Sequence, residues 1–168
     1  MMTDKKRVKK KKWPAENLSE LVTFLEEMNP NGIAVRDMSR RTGLTQQYIS
    51  WMMMRDDCKL STAIRIALDY GYRLEIVAPE GKKPWEPVKN FKHKDFPNAG
   101  PLSGVADFLN TEQINLSEAA RRAKISRTGF ELALKRGDAM VGTIKRMAAG
   151  LGIYLEWKFI KIEKYFNF

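Results

Sequence analysis

The chain has 168 residues, of which 43% are hydrophobic and 30% are charged, and its formal net charge is +10 at pH 7. This composition favours one or two small globular domains with a real core, and the charge indicates a polyanionic partner, either nucleic acid or a membrane surface. The single cysteine, Cys58, excludes an internal disulfide and favours a reducing cytoplasm. No apolar run is long enough to predict a transmembrane helix, and no apolar segment follows the basic start, so no signal peptide is expected.

A basic segment opens the chain. Residues 1–12 contain seven lysine or arginine side chains and one aspartate. Such a dense block of like charges favours disorder over a packed structure. We therefore predict a disordered basic arm over residues 1–14 and a first folded domain over residues 15–78.

The first domain begins with two predicted helices. Apolar residues recur at helical spacing from Leu18 to Met28 and predict the first helix. Asn17 with Glu20 predicts a capping box at its start. The second helix is expected over residues 35–42.

A glycine turn separates the second helix from a third. Gly43 suits the left-handed conformation that ends many helices. Leu44 is expected to fill the turn, and Thr45 to cap the third helix. This third helix is expected to bury Ile49 and Met52.

A fourth helix and a strand complete the first domain. The helix is predicted over residues 61–71, with Gly71 at its C-cap and three side chains pointing inward, namely Ile64, Ala67 and Leu68. The period then changes to the alternation typical of a strand, which we predict over residues 73–78.

The rest of the chain is a predicted linker followed by a second copy of the same pattern. Residues 79–101 contain five of the seven prolines, which predicts an extended and partly stiff linker. Residues 116–158 then align with residues 35–77 at a constant offset of 81, and ten of the 43 positions are identical. We therefore predict a second domain over residues 102–168 with four helices and a strand over residues 153–161, in which Lys124 takes the place of the turn glycine.

The stretch DMSRRTGLTQQYISWM resembles the helix-turn-helix of lambda-repressor-like regulators of the Xre/Cro type. The residues that carry the resemblance are the acidic start of the second helix at Asp37, the turn residues Gly43 and Leu44, and the hydroxyl and glutamine that open the third helix, Thr45 and Gln46. The strand that follows each unit is similar to that of HipB-type antitoxins, in which C-terminal strands pair within a dimer. The resemblance implies a mainly α fold of two tandem helix-turn-helix domains. We expect their strands to pair antiparallel, which would make the chain an intramolecular pseudo-dimer.

In this family the third helix enters the major groove of double-stranded DNA and its first turns reach the base edges. The residues implied as base-reading are Thr45, Gln46, Gln47 and Ser50 in the first repeat, and Ser126, Arg127, Thr128 and Glu131 in the second. A glutamine amide matches adenine, and arginine matches guanine. We therefore expect unlike half-sites about one helical turn, roughly 34 Å, apart. The alternatives are that the glutamines only solvate an exposed helix, and that the second repeat is a scaffold that does not bind DNA.

A second set of residues is implied as contacts to the DNA backbone, namely Arg36, Arg40, Trp51, Arg55, Arg136 and the arm residues Lys9, Lys10, Lys11 and Lys12. The arm resembles the lysine-rich arms that some phage repressors wrap around DNA, and the alternative is a solubilising tail. Arg55 and Arg136 each belong to an Arg-x-Asp pattern, for which a surface ion pair is an equal alternative. Binding through these side chains would be strongly salt-dependent.

Enzymatic and metal chemistry are not expected. One cysteine and one histidine, His93 in the predicted linker, cannot supply a zinc ligand set. The sequence contains no glycine-rich phosphate loop and no nucleophile–histidine–acid motif. We therefore expect neither a catalytic residue, nor a metal, nor a cofactor.

The function implied by the resemblance is that of a sequence-specific DNA-binding protein of the cytoplasm, located at the nucleoid. A transcriptional repressor of phage or mobile-element type is the leading hypothesis, acting as a homodimer or as the pseudo-dimer. The alternatives are an antitoxin-like protein that binds a toxin and regulates its own operon, and a nonspecific DNA-binding or interaction module. The step from fold to repressor is an analogy, because helix-turn-helix folds have many roles.

Overall fold

The computed structural model describes residues 13–77, 95–153 and 156–163. The arm lysines Lys9, Lys10, Lys11 and Lys12, the greater part of the predicted linker and His93 lie outside these residues. The described parts of the chain form a mainly helical fold with eight α-helices and one small antiparallel sheet. In chain order the elements are α1 (Ser19–Met28), α2 (Val35–Thr42), α3 (Gln46–Arg55), α4 (Leu60–Asp69), β1 (Tyr72–Val77), a 3-10 turn (Gly100–Leu102), α5 (Ser103–Thr111), α6 (Leu116–Ala123), α7 (Arg127–Arg136), α8 (Val141–Gly150) and β2 (Glu156–Lys161).

The chain divides into two compact units, Met1–Asp56 and Asp57–Phe168. The first unit contains α1, α2 and α3, and the second contains the remaining elements. The division therefore falls between α3 and α4, whereas the sequence repeat ends after β1. As a result, the last helix and the strand of the first repeat lie in the same unit as the whole second repeat.

The core of the first unit is formed by buried side chains from all three helices. Leu21 and Leu25 come from α1, Met38 from α2, and Ile49 and Met52 from α3, and each is at most 2% exposed. Burying one such side chain contributes about 1.5–3 kcal/mol. Burial of Ile49 and Met52 fixes the rotation of α3 about its axis, so the opposite face of this helix is turned to solvent.

The start of α1 is capped by a residue that lies about 40 positions further along the chain. The predicted capping box of Asn17 and Glu20 is wrong, because the N-cap residue is Leu18 and it makes no side-chain cap hydrogen bond. Instead, the carboxylate of Asp56 accepts the backbone N–H groups of Glu16, Asn17 and Leu18 at 2.6, 2.7 and 3.1 Å. Asp56 is also the left-handed residue that ends α3, with φ 55°. One residue thus ties the beginning of α1 to the end of α3.

The turn between α2 and α3 follows the prediction from the sequence. Gly43 ends α2 in the left-handed conformation, with φ 71°, and its N–H donates to the carbonyl of Ser39. Leu44 is half-buried, and its carbonyl accepts the Ser39 hydroxyl at 2.6 Å. Thr45 Oγ1 accepts the N–H of Tyr48 at 3.1 Å, which confirms Thr45 as the cap of α3.

The second unit contains the two-stranded sheet, whose predicted antiparallel pairing is confirmed. Tyr72 lies opposite Lys161, and the register continues to Val77 opposite Glu156. Residue 153, where the second strand was predicted to begin, does not belong to β2 (Glu156–Lys161). The reason is that the N–H of Ile153 donates to the Ala148 carbonyl at 2.8 Å and so still belongs to the turn that closes α8.

The prediction for α4 was partly wrong. Ala67 is buried and Ile64 is half-buried, but Leu68 is 50% exposed. The buried face of α4 also includes Ile66, and successive residues of a helix are rotated by about 100°, so Leu68 turns away from it. Gly71 has the expected positive φ, 81°, but it lies one residue beyond the C-cap.

Equivalent residues of the two repeats make reciprocal contacts within the second unit. Asp57 Oδ1 accepts the N–H of Gly142 in the first turn of α8 at 3.0 Å. Asp138, which is 81 residues after Asp57, accepts the N–H of Ser61 in the first turn of α4 at the same distance and the Ser61 hydroxyl at 2.6 Å. Each repeat therefore supplies an aspartate that caps the fourth helix of the other repeat.

Two backbone pairs show how these contacts are related by symmetry. Lys59 bridges Met140, and Ile76 lies opposite Trp157 in the sheet. In both pairs the two residues are 81 positions apart, so each residue faces its own counterpart. Counterparts can face each other only at a two-fold axis. The contacts between the segment α4–β1 and the segment α8–β2 therefore obey a local pseudo-two-fold symmetry.

A glycine allows α8 to approach α6 closely. A Cβ atom added to Gly150 would lie 2.6 Å from the backbone nitrogen of Ala123 and 2.7 Å from its Cα. Such distances are far below van der Waals contact, so no larger residue fits without a backbone shift. The close contact helps to fix α6, the helix that precedes α7.

Candidate nucleic-acid interface

The start of α3 presents exposed polar side chains that contact no partner in the described part of the chain. Gln46 and Gln47 are exposed, and neither amide has a hydrogen-bond partner among the described residues. Thr45, just before them, uses its hydroxyl oxygen as the helix cap. Ser50, one turn later, is half-buried. The predicted base-reading residues of the first repeat therefore lie close together in the first half of α3, where Thr45, Gln46 and Gln47 are exposed.

A stack of three side chains runs along the flank of the same helix. The rings of Tyr48 and Trp51 are stacked with centroids 6.0 Å apart and an interplanar angle of 26°. The guanidinium carbon of Arg55 lies 4.8 Å from the centroid of the Trp51 ring. Trp51 is 43% exposed and the neighbouring Met54 is 58% exposed. Three consecutive methionines cannot share one face of a helix, so the sequence predicts that at least one of Met53 and Met54 is exposed; the exposed one is Met54.

The predicted phosphate contacts on α2 are available to an anion. Arg36 and Arg40 are both exposed, and in the described parts of the chain neither side chain has an ion-pair or hydrogen-bond partner. An unpaired guanidinium offers five N–H donors in a planar fork, which suits a phosphate group.

The second repeat keeps the scaffold of the first and changes the outer side chains. Ser126 Oγ accepts the N–H of Gly129 at 3.0 Å and so caps α7, and Phe130 anchors the inner face with no exposed surface. Arg127 and Thr128 are exposed and have no partner among the described residues. The predicted base-reading residues Ser126, Arg127 and Thr128 therefore lie together in the first turn of α7. Arg136, the predicted phosphate contact at the end of α7, is likewise exposed and unpaired within the described part of the chain.

Lys124 fills the turn position that Gly43 occupies in the first repeat. Its φ of 56° is left-handed, as expected for the residue that ends α6. A lysine adopts this conformation less readily than a glycine. The geometry of the turn is therefore retained although the residue type is not.

Glu131 differs from the other predicted base-reading residues. It is half-buried, and its carboxylate forms an ion pair with Lys135 at 3.0 Å. Both residues line an open groove of about 760 Å³ whose other walls include Asn110 of α5 and Asn115 and Leu116 at the start of α6. Glu131 therefore belongs to the groove between α5 and α7 as well as to the surface of α7.

One acidic residue, Glu118, pairs with two arginines on α6. Arg121 and Arg122 both donate to the carboxylate of Glu118, with distances of 2.6–3.0 Å. These hydrogen bonds lower the pKa of Glu118 from 4.5 to about 2. The counterpart of Arg121 in the first repeat is Arg40, which is exposed and has no ion-pair partner among the residues that the structure describes. The two repeats therefore present different charge patterns on equivalent helices.

The lone cysteine has the properties of a core residue. Cys58 is fully buried, and its pKa is raised to about 12 by burial and by the nearby carboxylates of Asp57 and Asp138. Its thiol therefore stays protonated and weakly nucleophilic at neutral pH. The described residues contain no group of three or more His, Cys, Asp or Glu side chains that could hold a metal ion.

Comparisons of the chain with protein-family models, with curated proteins and with solved structures found no match. Function is therefore inferred from the geometry of the chain itself. None of the helices in the described ranges has both the length and the apolar character needed to cross a membrane.

Proposed function

We propose that the chain is a sequence-specific double-stranded DNA-binding protein built from two tandem lambda-repressor-like helix-turn-helix domains. One observation carries the proposal. Exposed polar side chains that have no partner among the described residues occupy the first turn of α3 and the first turn of α7, each on a capped helix whose inner face is anchored in a core. Polar side chains without a structural role, at equivalent positions of a repeated scaffold, are what base recognition needs.

The chemistry of these side chains suits the edges of base pairs in the major groove. A glutamine amide presents one donor and one acceptor and matches adenine, so Gln46 and Gln47 favour adenine contacts. Arg127 matches the O6 and N7 acceptors of guanine. Because the first turns of the two helices carry different groups, the preferred DNA site should have two unlike halves. The net charge of +10 supplies the nonspecific attraction to the phosphate backbone.

The reciprocal contacts of the second unit support an intramolecular pseudo-dimer. The exchanged aspartate caps at Asp57 and Asp138, and the counterpart pairs at Lys59 and Ile76, are the contacts that a two-fold homodimer of single repeats would make. One chain of this kind can bind a two-part site without a second subunit. The role that follows is a transcriptional repressor of phage or mobile-element type, acting at the nucleoid.

Selection of binding sites from a random duplex pool by the full chain tests the proposal. Enrichment of an asymmetric, two-part sequence is expected. Gln47→Ala should then lose discrimination at one base pair, by about 1–3 kcal/mol, while affinity for unrelated duplexes stays unchanged. Thr23→Ala is the matched control, because Thr23 is an exposed residue of α1 in the same unit.

Other outcomes separate the competing functions. Affinity that falls equally for all duplexes in Gln47→Ala would argue against base recognition. Binding without enrichment, lost on deletion of residues 1–12, would indicate a nonspecific module that acts through its basic arm. Co-purification with the product of an adjacent toxin gene, together with binding to the promoter of that gene pair, would indicate an antitoxin.

A further inference from the structure

We propose that Trp51 is a positioning residue, whose indole ring holds the guanidinium of Arg55 on the flank of α3 so that its N–H groups can bind a DNA phosphate. This inference rests on the proposed function. It assigns different roles to Trp51 and Arg55, which the resemblance implied as two DNA-backbone contacts of the same kind. Trp51 orients the contact, and Arg55 makes it.

The geometry of the stack supports this assignment. Tyr48, Trp51 and Arg55 are three and four residues apart, the spacings that bring helical side chains into contact along one face. Trp51 contacts Tyr48 on the N-terminal side and Arg55 on the C-terminal side. A guanidinium that lies over a ring keeps all of its N–H donors in its own plane and free for another partner. Stacking also restricts the rotamers of Arg55 before DNA binds, so the entropy cost of fixing this side chain on binding is smaller.

No acidic side chain competes for Arg55 among the described residues. The adjacent Asp56 is the closest carboxylate in sequence, and both of its oxygens accept backbone N–H groups at the start of α1. Within the described ranges, the side chain of Arg55 makes one polar or ring contact, the one with Trp51. Its charge is therefore oriented but not neutralised, which is the state that a phosphate contact requires.

The second repeat provides an internal comparison. The residues at the three equivalent positions are Gly129, Leu132 and Arg136, so the arginine is kept while both aromatic rings are absent. Arg136 is exposed at the end of α7, as Arg55 is at the end of α3. The structure therefore assigns the pre-organised phosphate contact to the first repeat alone.

A double-mutant cycle on the full chain tests the inference. Dissociation constants are measured for wild type, Trp51→Leu, Arg55→Ala and the double variant on the selected duplex, or on a fixed mixed-sequence duplex if no site is selected. Trp51→Leu installs the residue of the second repeat and should weaken binding about two- to fivefold in wild type. It should have no further effect when Arg55 is already alanine. Trp51→Phe should restore most of the affinity, and Leu132→Ala should leave it unchanged.

Two further measurements separate positioning from a general loss of structure. The thermal melting of Trp51→Leu should match wild type, since Trp51 is 43% exposed. Arg55→Ala should reduce the slope of log affinity against log salt by about one, and neither variant should change the base preference.

Three results would overturn the inference. If Trp51→Leu weakens binding equally in the Arg55→Ala background, the indole contacts DNA itself. If it changes the base preference, Trp51 is a base-reading residue. Failure to bind any duplex would overturn this inference and the proposed function together. Binding without sequence selection would refute the proposed function alone, because a phosphate contact needs no particular base sequence. In that case the mutant cycle on the mixed-sequence duplex still tests whether Trp51 positions Arg55.

Discussion

Replacement of Asp56 should destabilise the first unit more than any other change at a residue with a charged side chain. Asp56 is 8% exposed, and its carboxylate accepts three backbone N–H groups at 2.6, 2.7 and 3.1 Å. These groups would be left without a partner in Asp56→Ala. Alanine would also have to adopt the left-handed conformation that aspartate holds at φ 55°.

The magnitude follows from two contributions. Loss of a side chain that caps a helix start costs about 1–2 kcal/mol, and hydrogen bonds to a charged group lie at the upper end. The left-handed conformation costs alanine about 1–2 kcal/mol. We therefore expect Asp56→Ala to lower the free energy of unfolding by about 2–4 kcal/mol.

Two companion variants separate these contributions. Asp56→Asn keeps the size and the tolerance for the left-handed conformation but loses the charge and one acceptor oxygen, so a loss of about 1–2 kcal/mol is expected. Asp56→Gly removes the cap but relieves the backbone, and it should be about 1 kcal/mol more stable than Asp56→Ala. Urea unfolding followed by far-ultraviolet circular dichroism measures all three. An Asp56→Ala variant within about 0.5 kcal/mol of wild type, the range of ordinary surface substitutions, would refute the reasoning.

Three further predictions concern the second unit. Asp57→Ala and Asp138→Ala should each cost about 1 kcal/mol in urea unfolding, because each removes one of the two reciprocal helix caps; very unequal losses would contradict the pseudo-two-fold symmetry. Gly150→Ala should destabilise by about 1–3 kcal/mol in the same assay, since its Cβ would overlap the backbone of α6, and a gain in stability would contradict that close contact. Glu118 should titrate by NMR with a pKa of about 2, and Arg121→Ala should move this pKa towards 4.5. Because folding lowers this pKa, the stabilisation from Glu118 is fully present above pH 4.5 and is lost as the pH falls towards 2.

The features that the sequence predicted well depend on contacts between near neighbours. The bounds of α2, the left-handed Gly43 and the cap at Thr45 all involve residues within a few positions of each other. The same holds for the cap at Ser126, since the repeat carries each local signal twice. The strand pairing was also predictable, because two edge strands in one small chain are stabilised by each other.

The features that the sequence did not predict depend on long-range contacts. Asp56 bonds residues about 40 positions earlier, and the capping box at Asn17 and Glu20 looked sufficient without it. From the Arg-x-Asp pattern alone, Asp57 and Asp138 could equally have formed surface ion pairs with Arg55 and Arg136. Their role as caps depends on helices that are more than 70 residues away. The residues next to an aspartate in the sequence do not show whether its carboxylate will cap a distant helix or remain on the surface.

The position after α3 and α7 shows how duplicated halves can keep one backbone while their chemistry diverges. Asp56 in the first repeat and Gly137 in the second are 81 residues apart, and both are left-handed, with φ of 55° and 63°. The carboxylate of Asp56 caps the segment before α1, whereas a Cβ on Gly137 would lie 2.6 Å from the carbonyl oxygen of Asn98, in the segment before α5. In each repeat the chain entering the first helix therefore contacts the end of the third, through a side chain in one case and through direct backbone approach in the other. Because the side chain is needed for one contact and excluded from the other, the two residues are not interchangeable. The same divergence, applied to the outer faces of α3 and α7, is what two DNA-binding helices with different base preferences would require.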